Sequence, residues 1–297
     1  MTDAATELFP GFRRFDLKTT AAIIHGVTGG NGPPLLLLHG YPQTHAMWHK
    51  VAARLGLHFT IVAADLRGYG DSSKPVSAPD HAPYSKRAMA LDMAEVMTAL
   101  GHRQFLVCGH DRGGRVAHRL ALDHADRVLR LAVLDIAPTR EMYRDTTDAF
   151  ARAYAHWFYL IEPFPLPERM IGADAQDYWK KKCGAGSAGL SPFAPAALAD
   201  YLRCFAVPET IHATCEDYRA AASIDIRHDD EDAGRKVECP LLALWGRDGV
   251  IERCFAPLAL WRERAGDVRG EVLPGGHYLA EELPELVAEK LIGFLAA

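Results

Sequence analysis

The 297-residue sequence predicts an α/β fold, a mostly parallel doubly wound sheet carrying an inserted helical cap. Three observations predict it. Short apolar runs without polar alternation recur along the chain, as in strands buried on both faces. Helical stretches separate those runs, and alternation of this kind implies a sheet covered by helices. The strand rhythm then lapses between residues 139 and 225 and resumes near residue 226.

Taken in order, residues 12–17 and 21–26 flank Lys18-Thr19-Thr20 and read as an opening hairpin. The turn-forming segment 28–34 leads into Leu35-Leu36-Leu37-Leu38, which ends at His39-Gly40. Further apolar runs lie at 59–63, 105–108, 131–134 and 241–244, with a weaker sixth at 271–273. Helices are expected over 46–55, 85–100, 113–123 and 255–263. Segment 139–225 is aromatic-rich and broken by Pro163, Pro165, Pro167, Pro192 and Pro195. The expected division is a core over 1–138, a helical cap over 139–225, and the rest of the core over 226–297. The acidic run Asp229-Asp230-Glu231-Asp232 lacks calcium-loop spacing and reads as a solvated return linker.

Composition bounds the function. Hydrophobic residues at 49% and charged residues at 24% describe a globular chain able to bury a sizeable core. A net charge of −5 gives no general attraction to nucleic acid or anionic membrane, so anion binding would need locally placed arginines. No apolar run reaches a membrane span, and residues 1–15 hold no apolar core of signal-peptide length. The six cysteines form no CxxC pair and read as reduced thiols, with the cytoplasm as the expected location.

The most informative segment is Phe105-Leu106-Val107-Cys108-Gly109-His110-Asp111-Arg112-Gly113-Gly114. A buried strand runs into small-x-acid-x-small and then a helix, which is a nucleophile elbow with aspartate at its apex. Glycines suit the tight turn, and the helix N-terminus favours an ionised carboxylate. Asp111 is therefore the candidate nucleophile; the plainer alternative is a helix cap. A second match, Ala185-Gly186-Ser187-Ala188-Gly189, follows lysines instead of a buried strand and reads as a loop.

An aspartyl ester must be hydrolysed, which calls for a general base. His277, in the Gly-rich loop after the last strand, occupies the place of the α/β-hydrolase histidine. Asp135, at the end of a strand, is expected to orient it; Asp248, one residue early for its motif, is the fallback. The backbone amides of Tyr41 and Arg112 are assigned to the oxyanion hole. His39 reads as structural. His45 and His49 have helical spacing but no third ligand, so no metal is expected.

These residues resemble the fluoroacetate (haloacetate) dehalogenases of the α/β-hydrolase superfamily. The similarity lies in His39-Gly40-Tyr41-Pro42-Gln43-Thr44, in segment 65–73, in Gly109-His110-Asp111-Arg112-Gly113-Gly114-Arg115, and in Tyr154-Ala155-His156-Trp157 and Asp217-Tyr218-Arg219. It extends over nearly the whole chain. The first two motifs are shared with epoxide hydrolases, and the arginine pair and the later residues discriminate.

The resemblance implies hydrolysis of a short 2-haloacid to glycolate and halide, without cofactor, by a homodimer. Arg112 and Arg115, three apart on the helix, would grip the substrate carboxylate in a bidentate way. His156, Trp157 and Tyr218 would bind the departing halide, together worth roughly 5–8 kcal/mol. One departure is Ala185, where the family carries a tryptophan, and a wider pocket is expected. The rival readings are an epoxide hydrolase with the same Asp111 and His277, and a non-catalytic receptor for a small acid.

Overall fold

The computed structural model describes residues 7–186 and 188–297. Eight strands form one sheet: β1 (Arg13–Lys18), β2 (Ile23–Gly30), β3 (Pro34–Leu38), β4 (Thr60–Ala64), β5 (Phe105–His110), β6 (Val128–Leu134), β7 (Leu241–Gly246) and β8 (Val268–Leu273). Their order is β1-β2-β4-β3-β5-β6-β7-β8. The first two pairings, β1 with β2 and β2 with β4, are antiparallel, and the rest are parallel. The reversal of direction around β3 opens a crevice at the C-terminal ends of the strands, where open α/β sheets bind ligands.

The central strands are apolar because both faces are covered. All six residues of β5 and of β7 are buried; the helix Arg112–Asp123 packs on β5, and the helices Val250–Cys254 and Pro257–Arg264 pack on β7. Edge strand β1, by contrast, is mostly exposed, and its alternation follows from having one face in water.

Some boundaries differ from expectation for local reasons. Strand β2 continues through Thr28-Gly29-Gly30, where glycines had suggested a turn, because those residues pair with β4. The helix expected at 255–263 runs over Pro257–Arg264, since Pro257 opens it, and a further short helix, Val250–Cys254, precedes it.

Eight helices run from Thr139–Arg144 to Ile224–Glu231 between β6 and β7, among the described residues. The return segment is not a solvated linker. Most of the acidic run lies in the Ile224–Glu231 helix, and Asp232 accepts hydrogen bonds from Arg87, Arg119 and Arg235. A run of acids reads as solvated by composition alone; here two arginines distant in sequence, Arg87 and Arg119, join the nearby Arg235 on Asp232. No helix among the described residues is long and apolar enough to cross a membrane. All six cysteines are unbonded, and four of them are buried.

Candidate active site

Asp111 stands at the junction of β5 and the helix Arg112–Asp123, with φ +48° and ψ −116°. A non-glycine residue there is strained, and strain of this kind persists only where the surroundings enforce it. Glycines supply the enforcement. A Cβ on Gly40 would lie 2.5 Å from the Asp111 Cβ, and one on Gly109 would lie 2.3 Å from the Gly113 carbonyl oxygen. The aspartate makes no capping bond to its own helix. Its Oδ1 instead accepts the Tyr41 amide at 3.1 Å. Burial alone would raise the Asp111 pKa, but the charges of His277, His110, Arg112 and Arg115 outweigh it and hold the group below the usual carboxylate range.

Asp135 follows β6 and is likewise left-handed, with φ +47°. Its two oxygens are divided. Oδ2 lies 2.6 Å from His277 Nδ1, and Oδ1 accepts the Gly246 amide at 2.9 Å. Asp135 and His277 are thus joined at the strand ends, and His277 lies near enough to Asp111 to act on its charge. Asp248 is exposed and makes no hydrogen bond to the histidine; it lines the same cavity as His277. Tyr154 places its hydroxyl 3.4 Å from the same His277 nitrogen.

His39 is a staple: its Nδ1 meets the Gly40 carbonyl at 3.0 Å, and its Nε2 accepts the Leu66 amide at 3.0 Å. His45 is paired with Asp65 and His49 with the Ala46 carbonyl, so the two do not converge. Asp71, Asp200 and Cys204 approach one another, but Arg203 is already ion-paired with both acids. Ser187 lies outside the described residues.

The helices of the insertion close over Asp111. Trp179 donates to the Pro42 carbonyl at 2.9 Å, and the Tyr41 hydroxyl donates to Tyr178 at 3.0 Å. These bonds join the helix Ala175–Gly184 to the loop that carries the Tyr41 amide.

The two arginines differ sharply. Arg112 is fully buried and directs Nε and Nη2 onto the Asp217 carboxylate, at 2.9 and 2.7 Å. Its guanidinium also lies 4.1 Å from the Tyr218 ring centroid. The bidentate edge expected for a ligand is thus occupied, and only Nη1 is without a partner. Arg115 has no carboxylate partner among the described residues. Its Nη2 meets the Met142 sulfur at 3.2 Å, while Nε and Nη1 are buried and unpartnered. Neither guanidinium forms a salt bridge with Asp111. Burial, followed by the charge of Arg112, lowers the Arg115 pKa.

Trp157 is buried beneath Arg115, with the guanidinium 4.5 Å from its ring centroid, and its indole Nε1 has no partner among the described residues. Tyr218 and His156 stand against each other at 5.7 Å between ring centroids. Burial, then Lys182, His277 and Arg112, drives the His156 pKa well below its usual value, so the ring is neutral. Burial keeps Tyr218 protonated. Tyr143 also belongs to this cluster, 5.1 Å from Trp157, with a buried hydroxyl that lacks a partner. No sequence pattern marks Tyr143. Asp217 had a signal, its place beside Tyr218, but not its role.

A cavity of about 330 Å³ leads to His277 and is lined by Tyr154, Cys183, Ala185, Arg253 and Tyr278. Ala185 forms part of its wall, where a small side chain leaves space.

Comparison with known proteins agrees with this architecture. Residues 33–251 match the alpha/beta hydrolase fold family. A fluoroacetate dehalogenase from Burkholderia sp. is 47% identical over 290 residues, covering 97% of this chain and 95% of that protein. A soluble epoxide hydrolase from Corynebacterium sp. (strain C12) is 33% identical over 280 residues, covering 92% and 93%. The crystal structure of an alpha/beta hydrolase from Nostoc sp. PCC 7120 superimposes with a TM-score of 0.94 at 58% identity, over 96% of this chain and 98% of that one. The chain belongs to the haloacetate dehalogenase family of the α/β-hydrolases.

Proposed function

We propose that the protein hydrolyses short 2-haloacids, with fluoroacetate or chloroacetate giving glycolate and halide. Asp111 attacks C2 in line and forms an ester as the halide departs toward His156, Trp157 and Tyr218. His277, oriented by Asp135, then removes a proton from water, which attacks the ester carbonyl. The Tyr41 and Arg112 amides stabilise the resulting oxyanion.

The single observation that carries this reading is the unpaired, buried Arg115. A buried charge without a partner is costly by several kcal/mol, so the site favours a ligand that supplies an anion. A substrate carboxylate bridged between Arg112 Nη1 and Arg115 meets that need, and it places the neighbouring carbon beside the ionised Asp111. A neutral epoxide would leave the arginine unpaired. The buried indole N–H of Trp157 has no partner among the described residues, and with the neutral His156 ring and the protonated Tyr218 hydroxyl it suits a small, hard leaving group.

The epoxide hydrolase reading has one observation in its favour. Tyr218 and Tyr154 are both protonated near the catalytic pair and could serve as acids for ring opening. Fluoride-electrode and chloride assays on fluoro-, chloro- and bromoacetate, run beside styrene oxide, separate the two. Halide release without epoxide turnover is expected. Epoxide turnover alone would overturn the proposal.

A further inference from the structure

Asp217 is a buried acid that the proposed chemistry does not use. It lies on the helix Pro208–Ala221, fully buried, and sits against four donors from three directions. Arg112 gives it Nε and Nη2, Tyr69 gives its hydroxyl at 2.6 Å, and Lys86 gives its ammonium group. Lys86 is in turn held by Asp225, at 3.3 Å between charged atoms. Cations and anions thus alternate along one buried series: Arg112, Asp217, Lys86, Asp225. Arg115 stands outside this series, with no acid paired to it among the described residues.

We propose that Asp217 is a positioning residue that acts as a built-in counter-anion to Arg112, weakening the hold of the site on carboxylates and leaving Arg115 as their main receptor. The inference rests on the haloacid reading. The physical reason is competition for one cation. Two carboxylates cannot both take the same guanidinium edge, and a fixed anion behind Arg112 lowers the positive potential felt by an anion in front of it. Substrate and product are both short carboxylates. A pocket with two unopposed guanidinium groups would bind both tightly, which lowers KM and delays product departure without helping the bond-breaking step. The electrostatics of the two arginines agree with a division of labour, since Arg112 is strongly stabilised as a cation by Asp217 while Arg115 is not. The clamp also fixes Arg112 against the Tyr218 ring, so that Nη1 is the one guanidinium nitrogen left without a partner.

The test uses acetate, which has no leaving group, as the probe. Its affinity for the wild-type enzyme, D217N, D217E and K86M is measured by titration calorimetry, alongside kcat and KM for chloroacetate. D217N removes the counter-anion, and acetate is expected to bind about tenfold more tightly, with kcat and KM for chloroacetate both reduced. D217E restores the charge and should return both values toward wild type. K86M leaves Asp217 less neutralised, so acetate binding should weaken. Structural damage does not change sign between two neighbours, and this opposition is the distinguishing result. Unchanged or weaker acetate binding by D217N, or no binding by either protein, overturns the proposal. If D217N does not fold, K86M decides: unchanged or tighter binding refutes it. Wild-type enzyme that binds acetate but releases no halide defeats the catalytic reading alone.

Discussion

The guanidinium of Arg115 lies 4.5 Å from the ring centroid of Trp157, and both side chains carry buried N–H groups without a partner. Unsatisfied donors of this kind are rare in folded proteins, and several in one place mark a site built for something absent from the polypeptide. The proposed anion supplies what they lack, and the consequences can be measured.

Asp111 should carry the substrate as an ester. In a single turnover in heavy-oxygen water, one labelled oxygen should enter the Asp111 side chain, read by mass spectrometry of the peptide containing it. D111N should lose at least about three powers of ten in kcat until deamidation restores the acid. An unlabelled Asp111 would remove the basis of the mechanism.

Replacing His277 should stop the cycle halfway. H277N keeps the nucleophile but lacks the base held at 2.6 Å by Asp135. One equivalent of halide is expected in a burst, together with a protein heavier by one carboxymethyl group. Steady turnover by H277N would assign the base elsewhere.

Arg115 should trade stability for function. Removing an unpaired buried cation with R115M is expected to stabilise the fold by about 1–3 kcal/mol, after the lost contact with Trp157 is counted. KM for chloroacetate should rise by at least about tenfold. Denaturant unfolding and steady-state kinetics on the same preparation check both halves. A destabilised R115M would mean that the guanidinium is satisfied in the folded protein.

Glu281, just beyond His277, gives a pH dependence. Burial pushes its pKa up to about 7, although Tyr201 and Lys50 pull it down. The carboxyl group therefore binds its proton more tightly when folded than when unfolded. Its contribution is fully present below its ordinary value and is lost as pH rises through about 7. E281Q should be more stable than wild type at pH 8 and nearly equal near pH 4. Chemical denaturation across that range tests it; a constant difference between the two proteins would show that Glu281 does not titrate there.

Ala185 should set the upper size of the substrate. It lines the cavity of about 330 Å³ that reaches His277. A185W is expected to lower kcat/KM for 2-chloropropionate by about tenfold or more, with less effect on fluoroacetate. Equal losses on both acids would mean that the wall at this position does not select by size.

Much of the fold and the placement of the central acid–histidine group could be read from sequence, because both are written locally. A strand buried on both faces must be continuously apolar, and a tight strand-to-helix turn demands small residues on either side of Asp111. The loop bearing His277 is marked in the same way, by glycines after the last strand. Each of these patterns occupies a few consecutive residues, so chain order was enough to propose that Asp111, Asp135 and His277 meet.

Contacts between distant segments were not legible. The acidic run at 229–232 looks solvated by composition, yet Arg87 and Arg119, more than a hundred residues away, bind Asp232. Arg112 and Arg115 looked equivalent because helical spacing gives both the same face. Only the helix bearing Asp217, which lies 105 residues further along the chain, makes one a paired cation and leaves the other open. The sequence alone determined which groups could do chemistry and on which turns they stand. Tertiary structure decided which of them are neutralised, because a charge is set by whatever the fold brings within a few ångströms of it.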